Sequence, residues 1–330
     1  MTSRLSRCLE KEPVMLIKGY STKEMSRIAL GTHMGDVTDE VSAMYREAVR
    51  FAVQNGIYTI DGAINYRGMR SEKDVGEAIR ELIESGTVRR GDIFVTSKAG
   101  LLYGDITERL NPSMYLERIL KPQGMTADDF AEFEGIKQTL TPAFYEAALN
   151  KSLQNLGLET IDLHYIHIPE ISRAIMSEEA FYDSMEKLFA WYEGKVREQK
   201  IRNYGIALEF MGEEPEEQKW HFEMEEVKRR ADRVNAGDSH LKYVIFEYNI
   251  CCPYPRTVLS QHVGGEAVTL ADACHKLGLK TVASMPLAMG DALKEHTLKE
   301  LLEFALSGCD HIIVGSKNTD HIKEILSFME

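Results

Sequence analysis

Eight short apolar runs, each followed by a longer stretch of helical period, pass along this chain, and that alternation limits its fold more than any other feature. The runs lie at about 26–31 (SRIALG), 57–61 (IYTID), 92–98 (DIFVTSK), 161–167 (IDLHYIH), 202–207 (RNYGIA), 242–247 (KYVIFE), 279–285 (LKTVASM) and 310–315 (DHIIVG). Their length and β-branched content read as buried strands. The segment after Thr38 carries Val41, Met44, Tyr45, Ala48, Val49 and Ala52 on one face and stops at Gly56, as an amphipathic helix with a glycine beyond its end should. Ser71 with Asp74 reads as a capping pair, and Thr141-Pro142 as a cap residue before a proline at the first helical position. Residues 175–198, 213–236, 264–277, 297–306 and 317–328 supply further helices. Strands alternating with helices in this way predict the α/β class and a (β/α)8 TIM barrel, closed by eight parallel strands. No Pro- or Gly-rich linker divides the chain, so residues 1–330 read as one domain. Residues 1–25 are expected to form an N-terminal hairpin or cap at the barrel bottom.

One connection is long. Residues 101–140 separate the third strand from its helix, and loops of that length tend to be lids or binding loops. On a barrel the insertion follows the strand end where substrates bind, so Tyr103 and Tyr115, together with Tyr254 of the later CCPYPRTVLSQ stretch, are candidates to line a pocket.

Charge narrows the partners. Lys and Arg number 39 against 52 Asp and Glu, a formal net charge of −13, which argues against nucleic acid or an anionic membrane surface as the main partner. It leaves room for a small anion held locally. The five cysteines, Cys8, Cys251, Cys252, Cys274 and Cys309, show no C-x-x-C spacing and fit a reducing compartment. With no apolar leader and no run of about 18 apolar residues, the expectation is a cytoplasmic protein.

Set on the strands, the unusual polar residues fall together: Asp61 ends the second, Lys98 the third and His167 the fourth, with Tyr66 in the loop after the second. Neighbouring strands run about 4.8 Å apart, so these side chains can converge. A phenol ionises near pH 10, and a neighbouring ammonium lowers that value. Lys98 is the candidate ammonium, and Asp61 the carboxylate that keeps it charged once buried. His167 then offers a ring N–H to a carbonyl oxygen. Together they make a site that protonates a developing alkoxide, with Tyr66 as general acid. Lys98 alone also suits a Schiff-base lysine of an aldolase-type barrel. His164, three residues from His167, faces the other side of the strand and is read as structural, and no metal motif is present. The last strand opens through Gly315, Ser316 and Lys317 into a helix, which suits either a phosphate cradle or an ordinary helix cap.

These segments resemble the aldo-keto reductase superfamily from about residue 26 onward: LGT at 30–32, DGAINYRGMRSEKDVGEAI at 61–79, VTSKAG at 95–100, SLQNLGLETIDLHYIH at 152–167, KIRNYGIA at 200–207 and IIVGSKNTDHIKE at 312–324. The family's Asp, Tyr, Lys and His are matched by Asp61, Tyr66, Lys98 and His167. The resemblance implies carbonyl reduction of small aldehydes, ketones or sugars with NADP(H), or NAD(H), by a protein that is often monomeric. It assigns cofactor contacts to Gly31, Thr32, Asp61, Ala207, Leu208, Ile245, Ser284, Pro286, Leu287, Gly315, Ser316, Lys317, His321 and Glu324. Several of these depart from the family pattern. Ala207-Leu208 stands where many members carry Ser-Asn, Ile245 where a Gln is common and Ser284 where an aromatic often stacks. Gly315-Ser316 replaces a frequent Lys-Ser, and His321 a common Arg. The alternative is a regulatory barrel that binds NADP(H) with little turnover.

Overall fold

The computed structural model describes residues 16–211 and 219–329. Eight parallel strands close into a barrel: β1 Ile28–Gly31, β2 Thr59–Asp61, β3 Phe94–Ala99, β4 Ile161–His167, β5 Ile201–Ala207, β6 Leu241–Glu247, β7 Lys280–Ser284 and β8 His311–Gly315. Chain order and spatial order agree, and the ring closes where β8 pairs with β1, Gly31 lying opposite Gly315. The helices that follow them are α1 Asp39–Gln54, α2 Arg70–Glu84, α3 Pro142–Leu156, α4 Glu178–Arg197, α5 Met224–Arg233, α6 Leu270–Lys276, α7 Leu298–Gly308 and α8 Thr319–Met329. Among the described residues no helix is long and apolar enough to cross a membrane.

Strand alternation divides the core in two. Ala29, Phe94, Leu163, Tyr165, Ala207, Tyr243, Ile245 and Val282 pack inside the barrel, while Ile60, Val95, Ile166, Ile206, Val244 and Ile312 face the helices. Room inside is limited. A Cβ at Gly205 would lie 2.6 Å from the Tyr165 ring and from the Tyr243 carbonyl, so only glycine lets Tyr165 occupy the floor beneath the barrel mouth.

Some local expectations need correction. The stretch 264–277 is not one helix: Leu259–Val263 and Glu266–Thr269 form an antiparallel hairpin, and α6 starts at Leu270. Gly264 and Gly265, with φ of 62° and 83°, make its turn. The 175–198 expectation holds as α4 but for its start, which Ser177 sets by accepting from Ala180 N–H as the cap, after a separate short helix Glu170–Ile175. Residues 213–218 of the expected 213–236 helix lie outside the described residues, and of the rest only Met224–Arg233, which is α5, is helical. Ser71 and Asp74 do not form a cap: α2 begins after Met69 at φ 70°, the Ser71 hydroxyl bonds that of Thr32 (2.5 Å), and Asp74 accepts from Arg67 (2.7 Å).

Most of the 1–25 segment also lies outside the described residues. Its end runs below the barrel, where Ile17 bridges to Leu158 in parallel and Ser21 N–H donates to Asp162 at 2.6 Å. The 101–140 insertion contains a small hairpin, Ala131–Phe133 with Ile136–Gln138. It is pinned to the helical layer. Tyr103 and Phe130 pack on Phe144 of α3 at 5.3 and 5.4 Å between ring centres, and Asp105 accepts from Lys73 at 2.9 Å and pairs with Lys151 at 3.4 Å. Burial alone would raise the Asp105 pKa, but its bonds to Thr107 and Lys73 and the two lysine charges bring it down to about 2.

Candidate active site

Asp61 and His167 end β2 and β4, Lys98 is the last residue but one of β3, and their side chains turn into the barrel mouth. The Lys98 ammonium donates to both Asp61 oxygens at 2.7 Å and to the Gly62 carbonyl at 2.9 Å. Thr96 also donates to Asp61, at 2.7 Å. Thr96 lies two residues before Lys98, so strand periodicity puts both on one face. Burial works against the charge on Lys98, yet Asp61 and Tyr66 outweigh it and hold the lysine pKa above its ordinary value. Lys98 Nζ lies 5.0 Å over the Tyr66 ring and 5.7 Å from the Tyr165 ring below. The His167 ring centre is 6.1 Å from that of Tyr66, nearly edge-on.

Tyr66 is aimed by an unusual turn. Arg67, Gly68 and Met69 have φ of 50°, 59° and 70°, a left-handed run that costs non-glycine residues about 1–3 kcal/mol each. The buried Arg67 offsets this cost by donating to Asp74 (2.7 Å), Ser42 (3.1 Å) and the Asp36 carbonyl (3.2 Å), with its guanidinium 4.9 Å from the Tyr45 ring. Gly68 is tightly backed, for a Cβ there would meet Ile106 of the insertion at 2.9 Å.

The electrostatics differ from expectation in one respect. Lys98 does pull the Tyr66 pKa down, but burial pushes it up more strongly, with Asp61 and Glu209 adding to the rise, so the net shift is upward. The phenol therefore holds its proton at neutral pH. His167 is driven well below its ordinary pKa by burial and by Lys98, and is a neutral imidazole whose buried Nδ1 has no hydrogen-bond partner among the described residues. His164 faces outward as expected. Its Nδ1 lies 2.8 Å from the Tyr192 hydroxyl of α4, and burial lowers its pKa to about 3.

The assigned cofactor positions follow the rim. Gly31 pairs with Asp61 and with Gly315, while Thr32 donates to the Asp61 carbonyl at 2.8 Å. Ala207, Leu208 and Ile245 are buried and present apolar side chains, Ser284 ends β7, and Pro286 and Leu287 follow it. At the end of β8 Gly315 is exposed; beyond it the Ser316 hydroxyl bonds the Asn318 carbonyl at 3.1 Å and the Lys317 ammonium lies close beside Gly35, while His321 and Glu324 are exposed on α8. Tyr103 and Tyr115 do not line the mouth, because both are buried against each other and the helical layer, whereas Tyr254 is exposed. Among the described residues no group of three or more His, Cys, Asp or Glu is arranged to hold a metal ion.

Sequence reasoning missed Glu170. Three residues after His167 and fully buried, it accepts through Oε1 from the backbone N–H groups of Glu209 (2.8 Å), Phe210 (3.1 Å) and Met211 (3.4 Å), fixing the loop after β5. Burial raises its pKa to about 7 against the pull of those donors. The native carboxyl thus keeps a proton that the unfolded chain releases near 4.5, and stability is expected to fall by about 3 kcal/mol as pH rises between those values. Chemical denaturation of wild type and Glu170→Gln across that range checks this. The variant should gain on wild type as pH rises, and a pH-independent difference would sink the assignment.

The Aldo/keto reductase family model matches residues 27–302. The chain belongs to the aldo/keto reductase family. It is 31% identical to prostaglandin F synthase 1 of Bos taurus over 142 residues, which cover 43% of this chain and 31% of that protein. It is 27% identical to the NAD(P)H-dependent D-xylose reductase I,II of Candida tropicalis over 206 residues, 58% of this chain and 50% of that one. The matched stretches thus span half or less of these curated relatives. Among solved structures, the aldo-keto reductase AKR11C1 from Bacillus halodurans, in its holo form, superposes with a TM-score of 0.61 at 19% identity, covering 96% of this chain and 91% of its own. An aldo/keto reductase from Klebsiella pneumoniae in complex with NADP and acetate gives 0.59 at 16% identity, covering 96% and 90%. These likenesses establish the barrel.

Proposed function

We propose that this aldo/keto reductase family member is an NADP(H)-dependent oxidoreductase that reduces the carbonyl of small aldehydes, ketones or sugars, with Tyr66 as general acid. The observation that carries the proposal is the Lys98 ammonium, clamped on Asp61 at 2.7 Å and lying 5.0 Å over the Tyr66 ring. A protonated phenol beside a fixed cation can give its proton to an alkoxide and have the resulting phenolate stabilised at once.

The residues present suit a nicotinamide dinucleotide at both ends. At the reacting end are the phenol, the ammonium and the neutral imidazole of His167; at the other, Gly315 is open, Lys317 supplies positive charge and Ser316 a hydroxyl, next to the start of α8. In this reading Gly31, Thr32, Ser284, Pro286 and Leu287 flank the dinucleotide, and His321 and Glu324 lie by its phosphate end. When bound, the cofactor would supply the hydride. His167 orients the carbonyl oxygen, Tyr66 delivers the proton, and Asp61 keeps Lys98 charged throughout. The Candida tropicalis relative, which is NAD(P)H-dependent, and the Klebsiella pneumoniae neighbour, which is complexed with NADP, support the cofactor assignment.

One observation favours a second reading, a regulatory barrel that binds NADP(H) with little turnover. Ala207, Leu208 and Ile245 offer no side-chain polar atom to a carboxamide, so the nicotinamide would be held less firmly. Steady-state consumption of NADPH with a panel of aldehydes, ketones and sugars separates the two. Carbonyl-dependent consumption is the expected result; saturable NADPH binding without consumption across the panel would favour the sensor.

A further inference from the structure

A second histidine touches Tyr66. His33, in the loop between β1 and α1, places its ring centre 4.5 Å from that of Tyr66, with 41° between the planes, closer than the 6.1 Å of His167. The two imidazoles differ in access: His167 is buried, whereas His33 is exposed to solvent. Once Tyr66 has given its proton away it must regain one before the next turnover, and its surroundings restrict the source. Lys98 also reaches the Tyr66 side chain, but it is a poor source, since Asp61 and Tyr66 hold it charged and both side chains of the Asp61–Lys98 pair are buried. His167 is neutral and sealed, and His164 faces Tyr192.

We propose that His33 relays protons between solvent and the Tyr66 oxygen, an inference that rests on Tyr66 being the general acid. In the relay one imidazole nitrogen gives its proton to the phenolate oxygen, where the O–H bond re-forms, while the other nitrogen takes a proton from solvent water or a buffer acid. In the oxidation direction the same transfers run backwards. The charged and titratable groups facing His33 are Lys98, Asp61, Tyr66 and His167. Partial burial and the Lys98 ammonium hold the His33 pKa below 6.5, Asp61 opposing them, so the ring is mainly neutral at pH 7 and able both to accept and to give a proton.

The test compares His33→Ala and His33→Phe in NADPH-dependent carbonyl reduction. His33→Ala is expected to lower kcat about a hundredfold at neutral pH, with a much smaller change in KM. Added imidazole should restore the rate in proportion to its concentration. His33→Phe, which keeps a ring against Tyr66 but carries no exchangeable proton, should be as slow and gain nothing from imidazole. Wild-type kcat in His33→Phe, or a defect in His33→Ala that imidazole leaves untouched, would overturn the relay while leaving carbonyl reduction by the wild type standing. A readout without cofactor covers the remaining case, a wild type that consumes no NADPH. The His33 ring titration followed by NMR should have its midpoint below 6.5 and move up in Lys98→Met. A midpoint at 6.5 that ignores Lys98→Met places His33 outside the field of the site and overturns the relay whatever the turnover.

Discussion

Tyr66→Phe is expected to lower kcat for carbonyl reduction by about two to four orders of magnitude, the range for losing a positioned general acid. NADPH affinity and thermal midpoint should stay near wild type. The reason is geometric. The ring of Tyr66 packs against His33 at 4.5 Å and His167 at 6.1 Å, and a phenylalanine ring keeps both contacts while removing only the hydroxyl. Because burial keeps the phenol protonated, the wild-type reduction rate should vary little around neutrality, whereas alcohol oxidation, which needs the phenolate, should rise with pH. NADPH consumption and NADP+ reduction, each followed from acid to alkaline pH, check both halves. A phenylalanine variant within about tenfold of wild type would mean that the proton comes from elsewhere.

What was legible in the sequence is what periodicity and strand direction control. The strands could be read because runs such as KYVIFE carry apolar residues on both faces, Tyr243 and Ile245 inward and Val244 and Phe246 outward, which a barrel strand between core and helices requires. Once strands are assigned, the convergence of Asp61, Lys98 and His167 follows, since parallel strands in register bring their carboxyl ends to one rim. Helix identity failed where two patterns overlapped. Val268, Leu270, Ala271 and Cys274 suit a helical stripe, but Gly264-Gly265 is a two-residue turn signal, and the hairpin it closes takes Val268 as a strand residue.

Contacts made across the fold were not legible. Nothing near Glu170 in the chain announces that it will accept three N–H groups from residues 209–211, because those donors arrive on the next strand's loop. The Ser71 and Asp74 pair has the spacing of a cap, yet Thr32 and Arg67 compete for it and win, since the strained turn that aims Tyr66 needs Arg67 anchored. The direction of the Tyr66 shift was missed for a similar reason. The ammonium can be foreseen from the strand ends, whereas the degree of burial that outweighs it depends on how the loop after β2 and the 32–38 loop close over the ring.

Lys98→Met should combine loss of turnover with loss of stability, because the lysine serves both. Its side chain and that of Asp61 are 3% and 4% exposed, and the pair is joined at 2.7 Å through both carboxylate oxygens. Removing one member of a buried pair leaves the other charged without a counter-ion, at a cost of about 3–5 kcal/mol. Thr96 remains as a donor to Asp61, so the cost belongs toward the lower end of that range. One further result separates the electrostatic origin of this loss from simple misfit of the methionine. Asp61→Asn added to Lys98→Met should recover much of the stability without recovering turnover, since the amide carries no charge to strand. Urea denaturation of the three proteins at neutral pH measures this directly. A deficit unchanged in the double variant would assign the lysine's contribution to packing, and would remove the reason for which Asp61 is placed beside it.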